Sequence, residues 1–190
     1  MQNDVICAGF GGQGVLLIGK LLAYAGMHEG KEVAWIPSYG PEMRGGTANC
    51  SVVISDRPVG SPVIAQPRGL IAMNLPSLDK FEPTVRPGGV IIVNTSLINR
   101  PVRRTDVTVL EIPCNDLALE AGSARAANMV ALGAYVGMTD AVKIEEAEQL
   151  VRETFAKKPK LVDVNLRALQ AGYERALAHR GLKKNEEVRP

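Results

Sequence analysis

A glycine-rich turn, Gly9-Phe10-Gly11-Gly12-Gln13-Gly14, constrains this chain more than any other stretch. The apolar run Val5 to Ala8 precedes it and reads as a buried strand, and the run Val15 to Met27 follows it and reads as a buried helix. A helix that opens directly from a turn presents unpaired N–H groups and the positive end of its dipole, which together favour an anion. Gly9, Gly11 and Gly14 keep the G-x-G-x-x-G spacing of dinucleotide sites. Three readings follow: a dinucleotide, another phosphate-bearing ligand, or glycines that only let strand and helix approach closely.

The rest of the chain narrows the fold. Glu32 to Ile36 reads as a second strand. Pro37 to Gly46 holds two prolines and three glycines and is expected to be a shaped loop. Thr47 to Ser55 follows without an intervening helix, so it is expected to add antiparallel at a sheet edge. Leu70 to Met73, Val90 to Val93 and Val107 to Ile112 are short strands, and the first two are apolar at every position. That pattern suits parallel strands covered on both faces. Ser77 to Phe81, Asn115 to Ala121 and Ala126 to Met138 read as helices. Ile144, Ala147, Leu150, Val151 and Phe155 keep helical spacing, as do Val162, Leu166, Leu169, Tyr173 and Ala176. The expected fold is α/β. It is a Rossmann-like open, mostly parallel sheet with helices on both faces, an antiparallel edge excursion and a helical C-terminal end. Residues 1–179 are expected to form a single α/β domain, with 180–190 a charged, frayed tail.

Composition excludes several functions. At 190 residues and 46% apolar, the chain can bury one ordinary core. A net charge of +2 does not point to nucleic acid or a membrane surface, and 4% aromatic residues provide few stacking platforms. Cys7, Cys50 and Cys114 lie far apart in apolar runs without a Cys-x-x-Cys pair, so they read as buried structural thiols rather than cluster or zinc ligands. The first strand begins without a basic leader, and the apolar runs are too short or too interrupted to span a bilayer. A cytoplasmic protein is expected.

Ligands in open α/β sheets bind outside the carboxyl ends of the strands. Gly9 to Gly14, Ser38 to Gly46, Asn74 to Ser77 and Asn94 to Ser96 all fall there, and together they predict one crevice. Gly14 to Lys20 matches G-x-x-x-x-G-K, but Leu21 replaces the Ser or Thr that would hold Mg²⁺. A dinucleotide site wants an acid at the end of the second strand, where this chain has Ile36-Pro37-Ser38. His28 and His179 lie apart with no obvious carboxylate or cysteine partner, and no catalytic Ser, Cys or paired-carboxylate arrangement stands out.

These same residues carry a family resemblance. Gly9 to Gly14, together with Pro37-Ser38-Tyr39-Gly40-Pro41-Glu42-Met43-Arg44-Gly45-Gly46-Thr47-Ala48-Asn49-Cys50, resembles the gamma subunit of 2-oxoacid:ferredoxin oxidoreductases. Ala72-Met73-Asn74, Pro76 to Phe81, Asn128-Met129 and Leu132-Gly133 extend the likeness.

The resemblance implies a complex of anaerobic metabolism that oxidatively decarboxylates a 2-oxoacid to an acyl-CoA and reduces ferredoxin. Alpha and beta subunits are the implied partners, with delta as an optional one. Thiamine diphosphate, Mg²⁺ and iron–sulfur clusters are expected on those partners, and this chain is expected to help bind coenzyme A as a non-catalytic subunit. The Ser-Tyr-Gly-Pro-Glu-Met-Arg-Gly-Gly form is similar to the 2-oxoglutarate and branched-chain 2-oxoacid types, with 2-oxoglutarate preferred. The expected binding residues are Gly9, Gly11, Gly12, Gln13, Gly14, Ser38, Tyr39, Arg44 and Asn74. A purely structural docking subunit and a free-standing NAD-binding oxidoreductase remain the alternatives.

Overall fold

The computed structural model describes residues 2–39 and 46–187. Six strands form one sheet in the order β2-β3-β1-β4-β5-β6. They are β1 (Gln2–Phe10), β2 (Glu32–Tyr39), β3 (Thr47–Ser55), β4 (Gly69–Ala72), β5 (Val90–Asn94) and β6 (Thr108–Ile112). The helices are α1 (Val15–His28), α2 (Leu75–Phe81), α3 (Cys114–Glu120), α4 (Ala127–Thr139), α5 (Ile144–Phe155) and α6 (Pro159–Glu187).

β1, β4, β5 and β6 run parallel, as their apolar, two-faced sequences require. Alternate residues of one strand serve opposite faces. Val5 and Cys7 of β1 pack with α1, α4 and α6, whereas Ile6 and Ala8 pack with Leu78 of α2 and with Val85 and Ile98. Ile71 and Ile92 follow the first pair, and Leu70, Ile91 and Val93 follow the second.

The antiparallel excursion sits at one edge, but its arrangement differs from the sequence expectation. β3 is interior, pairing antiparallel with β1 on one side and β2 on the other, and β2 is the edge strand. The helix crossover from β1 to β2 leaves a gap of one strand, and β3 turns back to fill it. β2 also runs further than Ile36: Ser38 pairs with Asn49 and Tyr39 with Ala48. Pro37 is tolerated within it because an edge strand need not donate every N–H to a neighbour.

The C-terminal end is helical, and α6 runs to Glu187, past the Arg180 boundary at which the tail is expected to begin. Arg180 anchors that last stretch. Its Nη1 donates to the Gly137 carbonyl at 2.8 Å and lies 2.8 Å from Asp140 Oδ2. Further up, α4 and α6 meet backbone to backbone. A Cβ at Gly133 would strike the Leu169 carbonyl, and one at Gly172 would strike the Val130 carbonyl.

Candidate functional site

The glycine turn lies at the carboxyl edge of the sheet, between β1 and the first turn of α1. Each glycine has its own reason. At Gly9 a Cβ would come within 2.6 Å of Gln13 Oε1 and 2.9 Å of Val15 Cγ1. Gly12 and Gly14 have φ of 99° and 73°, the left-handed region where side chains are strained. Gly14 also faces Asn128, whose amide a Cβ would overlap, while a Cβ at Gly12 would meet nothing within 4 Å among the described residues. Gly14 caps α1 without a side-chain bond, and the first turn carries no acidic residue.

Gln13 ties the turn to the parallel strands. Its Oε1 accepts from the Phe10 N–H at 2.6 Å and from Asn74 Nδ2 at 3.1 Å, and its Nε2 donates to the Met73 carbonyl at 3.2 Å. Asn74 also caps α2 by accepting from the Ser77 N–H at 2.9 Å. It therefore fixes its own turn and braces Gln13. Asn94, with no exposed surface, donates to Met73 O at 3.3 Å and Asn115 Oδ1 at 2.9 Å, and accepts from the Cys114 N–H at 3.1 Å. Asn128, from the first turn of α4, donates to Gly14 O at 3.4 Å. Neutral amides thus stitch together the ends of β1, β4, β5 and β6. Gln13, Asn74 and Asn94 both give and take hydrogen bonds, Asn128 donates and Asn115 accepts, and none of them buries a charge.

Two hollows flank the turn. The larger, about 360 Å³, lies on the β3 side and is lined by Phe10, Gly12, Gly14, Leu16, Leu17 and Thr47, among others. Its walls are mostly apolar. The other, about 230 Å³, opens toward β4 and α4 and includes Gln13, Met73, Asn115 and Arg125. The Gly11 N–H donates to Gly46 O at 2.8 Å, which ties the residue before β3 to the turn.

Gly9, Gly11, Gly12, Gln13, Gly14 and Asn74 are brought together. Ser38 and Tyr39 end β2 on the same sheet edge, but β3 separates them from β1, a displacement of roughly 10 Å. Arg44 lies outside the described residues. Asn115, Asn128 and Arg125 were not singled out as site residues from the sequence. Their signal was positional: Asn115 follows the end of β6, and Arg125 and Asn128 flank the start of α4.

The thiols are buried and unpaired by disulfides. A hydrogen bond with Cys50, with burial beside it, raises the Cys7 thiol well above its ordinary value, and burial pushes Cys114 up to about 12. Such thiols stay protonated and are poor nucleophiles. His28 does find a carboxylate, with Nδ1 3.4 Å from Glu146 Oε2, a partner more than a hundred residues away in sequence.

The interposed β3 weakens the dinucleotide reading further. The residue that would hold an adenine ribose should sit on the strand beside β1, and there this chain has an antiparallel strand.

Comparison with known proteins agrees with the geometry. Residues 4–175 match the family model described as pyruvate ferredoxin/flavodoxin oxidoreductase. The chain is 43% identical over 166 residues to ketoisovalerate oxidoreductase subunit VorA of Methanothermobacter marburgensis, covering 87% of this chain and 34% of that protein. It is 35% identical over 177 residues to 2-oxoglutarate synthase subunit KorC of Methanocaldococcus jannaschii, covering 92% and 94%. The chain thus spans about a third of the length of its VorA relatives and nearly all of KorC.

Among solved structures, the gamma subunit of a keto/oxoacid ferredoxin oxidoreductase from Geobacter sulfurreducens superposes with a TM-score of 0.80 at 32% identity, covering 93% of this chain and 99% of that one. A 2-oxoglutarate:ferredoxin oxidoreductase from Magnetococcus marinus, solved with 2-oxoglutarate, coenzyme A and succinyl-CoA, gives 0.86 at 25% identity, covering 93% and 31%. The chain belongs to the pyruvate ferredoxin/flavodoxin oxidoreductase family, as a module of its gamma-subunit type.

Proposed function

We propose that this chain is the gamma subunit of a cytoplasmic complex that oxidatively decarboxylates a 2-oxoacid, transfers the acyl group to coenzyme A and passes the electrons to ferredoxin. In this reading the alpha and beta subunits, with an optional delta subunit, carry thiamine diphosphate, Mg²⁺ and the iron–sulfur clusters. The present chain contributes to the coenzyme A site and performs no bond-making itself.

The observation that carries the proposal is the apolar groove at the uncapped start of α1. Coenzyme A joins an anionic phosphate end to a long, weakly polar arm, and the groove offers a matching pair of surfaces. The Gly11 and Gln13 N–H groups are already spent on Gly46 O and Phe10 O. Leu17 N–H is likewise spent on Gly14 O, so the donors left to meet a phosphate are those of Gly12, Gly14, Val15 and Leu16, favoured by the helix dipole. Gly12 supports an open approach, since none of the described residues lies within 4 Å of its Cβ direction. Arg44 would add a charge-assisted contact and Tyr39 would line the approach.

The 2-oxoglutarate type is preferred on the Ser38 to Gly46 sequence and on the match to KorC along nearly its whole length. The higher identity to VorA favours ketoisovalerate as the second reading. Purifying the complex from its source and assaying both acids separates them: succinyl-CoA marks the first and isobutyryl-CoA the second.

Calorimetry of coenzyme A on the assembled complex tests the site. Arg44→Ala and Gly12→Ala should each weaken binding about tenfold, the loss of one charge-assisted contact or of close approach. Unchanged affinity in both variants would overturn the assignment. Weakened assembly with an unaltered KM for coenzyme A would make the chain a docking subunit instead.

A further inference from the structure

A second recess lies at the opposite, amino edge of the sheet, about 380 Å³ in volume, between the starts of β1, β4 and β5 and the last turn of α4. Asn3, Arg68, Arg86, Tyr135 and Thr139 line it, with the Pro87 to Gly89 turn as its rim. We infer that this recess is an oxyanion site, taking a phosphate or carboxylate group of a small molecule, independent of the glycine-turn crevice.

The first ground is a charge surplus. Arg68 and Arg86 both line the recess, and of the two only Arg68 has a carboxylate partner, Asp4. Asp4 is committed to Arg68: its Oδ1 accepts the Arg68 N–H at 2.6 Å and its Oδ2 lies 3.6 Å from Arg68 Nε. Arg86 is half-buried, yet among the described residues no carboxylate or carbonyl pairs with its side chain. Arginines of comparable burial elsewhere are all engaged. Arg100 meets Asp79 and Glu82, Arg104 meets Asp106, and Arg180 holds Gly137 O and Asp140. A guanidinium partly withdrawn from water with no acceptor is costly unless an anion completes it.

The second ground is a fixed backbone. The Arg86 N–H donates to Pro67 O at 3.0 Å, and its carbonyl accepts from Gly89 N–H at 3.0 Å. The Arg68 carbonyl accepts from Val90 N–H at 2.8 Å. Gly89 cannot be replaced without its Cβ pressing on both the Arg68 and the Arg86 carbonyls, so the turn holds the two arginines at a set spacing. A planar, five-donor group on a pinned backbone loses little freedom when it closes on an oxyanion. The side-chain amide of Asn3 supplies a further neutral donor at the rim.

The test uses the full 190-residue chain and inorganic phosphate as probe, with chloride at matched ionic strength as control. Phosphate at about tenfold its Kd should raise the melting temperature by about 3–6 °C over chloride. In a Gly12→Ala background, which removes any contribution of the glycine turn, Arg86→Gln should abolish that rise. Citrate in place of phosphate tells a carboxylate preference from a phosphate preference, and either supports the site. An equal rise in chloride, or a rise that survives Arg86→Gln in that background, overturns it. A rise lost in Gly12→Ala but kept in Arg86→Gln would place the anion at the glycine turn and also overturn it.

Discussion

The two edges of the sheet are built from different chemistry. The carboxyl edge is held by amides: Gln13, Asn74, Asn94, Asn115 and Asn128 bond one another, backbone carbonyls and N–H groups. The amino edge is held by charge, with Asp4 against Arg68 and Arg86 beside them. An amide can be buried at modest cost when both its ends are satisfied, whereas a buried ion needs a partner. Neutral bracing leaves the field at the crevice to the start of α1. Charged fixing at the other edge leaves a net positive recess. In the two proposals above, the ends of the sheet would meet anions by different means, one through backbone dipoles and one through side-chain charge.

The strongest way to break this contrast is to put a charge where only amides stand. Asn94→Asp removes the donor to Met73 O and Asn115 Oδ1 and aims a carboxylate at both, in a fully buried position. The expected loss is about 3–5 kcal/mol, a fall in melting temperature of about 10 °C or more. A loss below about 1 kcal/mol would mean that the carboxyl edge tolerates charge after all.

A smaller effect sharpens the role of Asn128. Gly14→Ala is strained by its φ and also displaces the Asn128 amide, so urea denaturation should show about 2–3 kcal/mol lost. Gly12→Ala carries the φ strain, with nothing within 4 Å of its Cβ among the described residues, and should lose about 1 kcal/mol. Equal losses would show that Asn128 does not brace the turn.

The smallest effect lies at the other edge. Asp4→Asn keeps an acceptor for the Arg68 N–H and removes an ion pair whose arginine is 45% exposed, together with the long 3.4 Å bond from Gln2 Nε2. The expected cost is about 1 kcal/mol or less, read in the same denaturation experiment and shrinking further at high salt.

Much of the fold was legible from patterning. The glycine turn, the two-faced strands and the amphipathic helices each announce themselves within a dozen residues. The place of β3 did not, because its position depends on which neighbour the β2–β3 pair docks against, and no local period encodes that. The length of α6 was hidden for a similar reason: 180–187 is polar, and its anchor, Gly137 O and Asp140, lies forty residues upstream. At the candidate site, Gly9 to Gly14 and Asn74 could be found by motif and by resemblance. Asn128 fell within the resemblance but without a role, and Asn115 within neither, because single asparagines are common at turns and helix starts, and only the folded chain brings these two against Asn94 and Gly14. Arg86 escaped notice because an arginine before a Pro-Gly-Gly turn looks like a solvated charge until its surroundings are seen.

The close approach of α4 and α6 has a mechanical consequence. Backbones that touch at Gly133 and Gly172 leave no side-chain cushion between the two helices, so one cannot slide on the other without steric overlap. The first turn of α4 holds the Gly14 carbonyl through Asn128. The rigid pair therefore acts as a keel, and the crevice takes its bearing from a helix that begins more than a hundred residues later in the chain. A methyl group added at Gly172 would tilt that keel, and the misalignment would reach the mouth of the crevice without any residue there being altered.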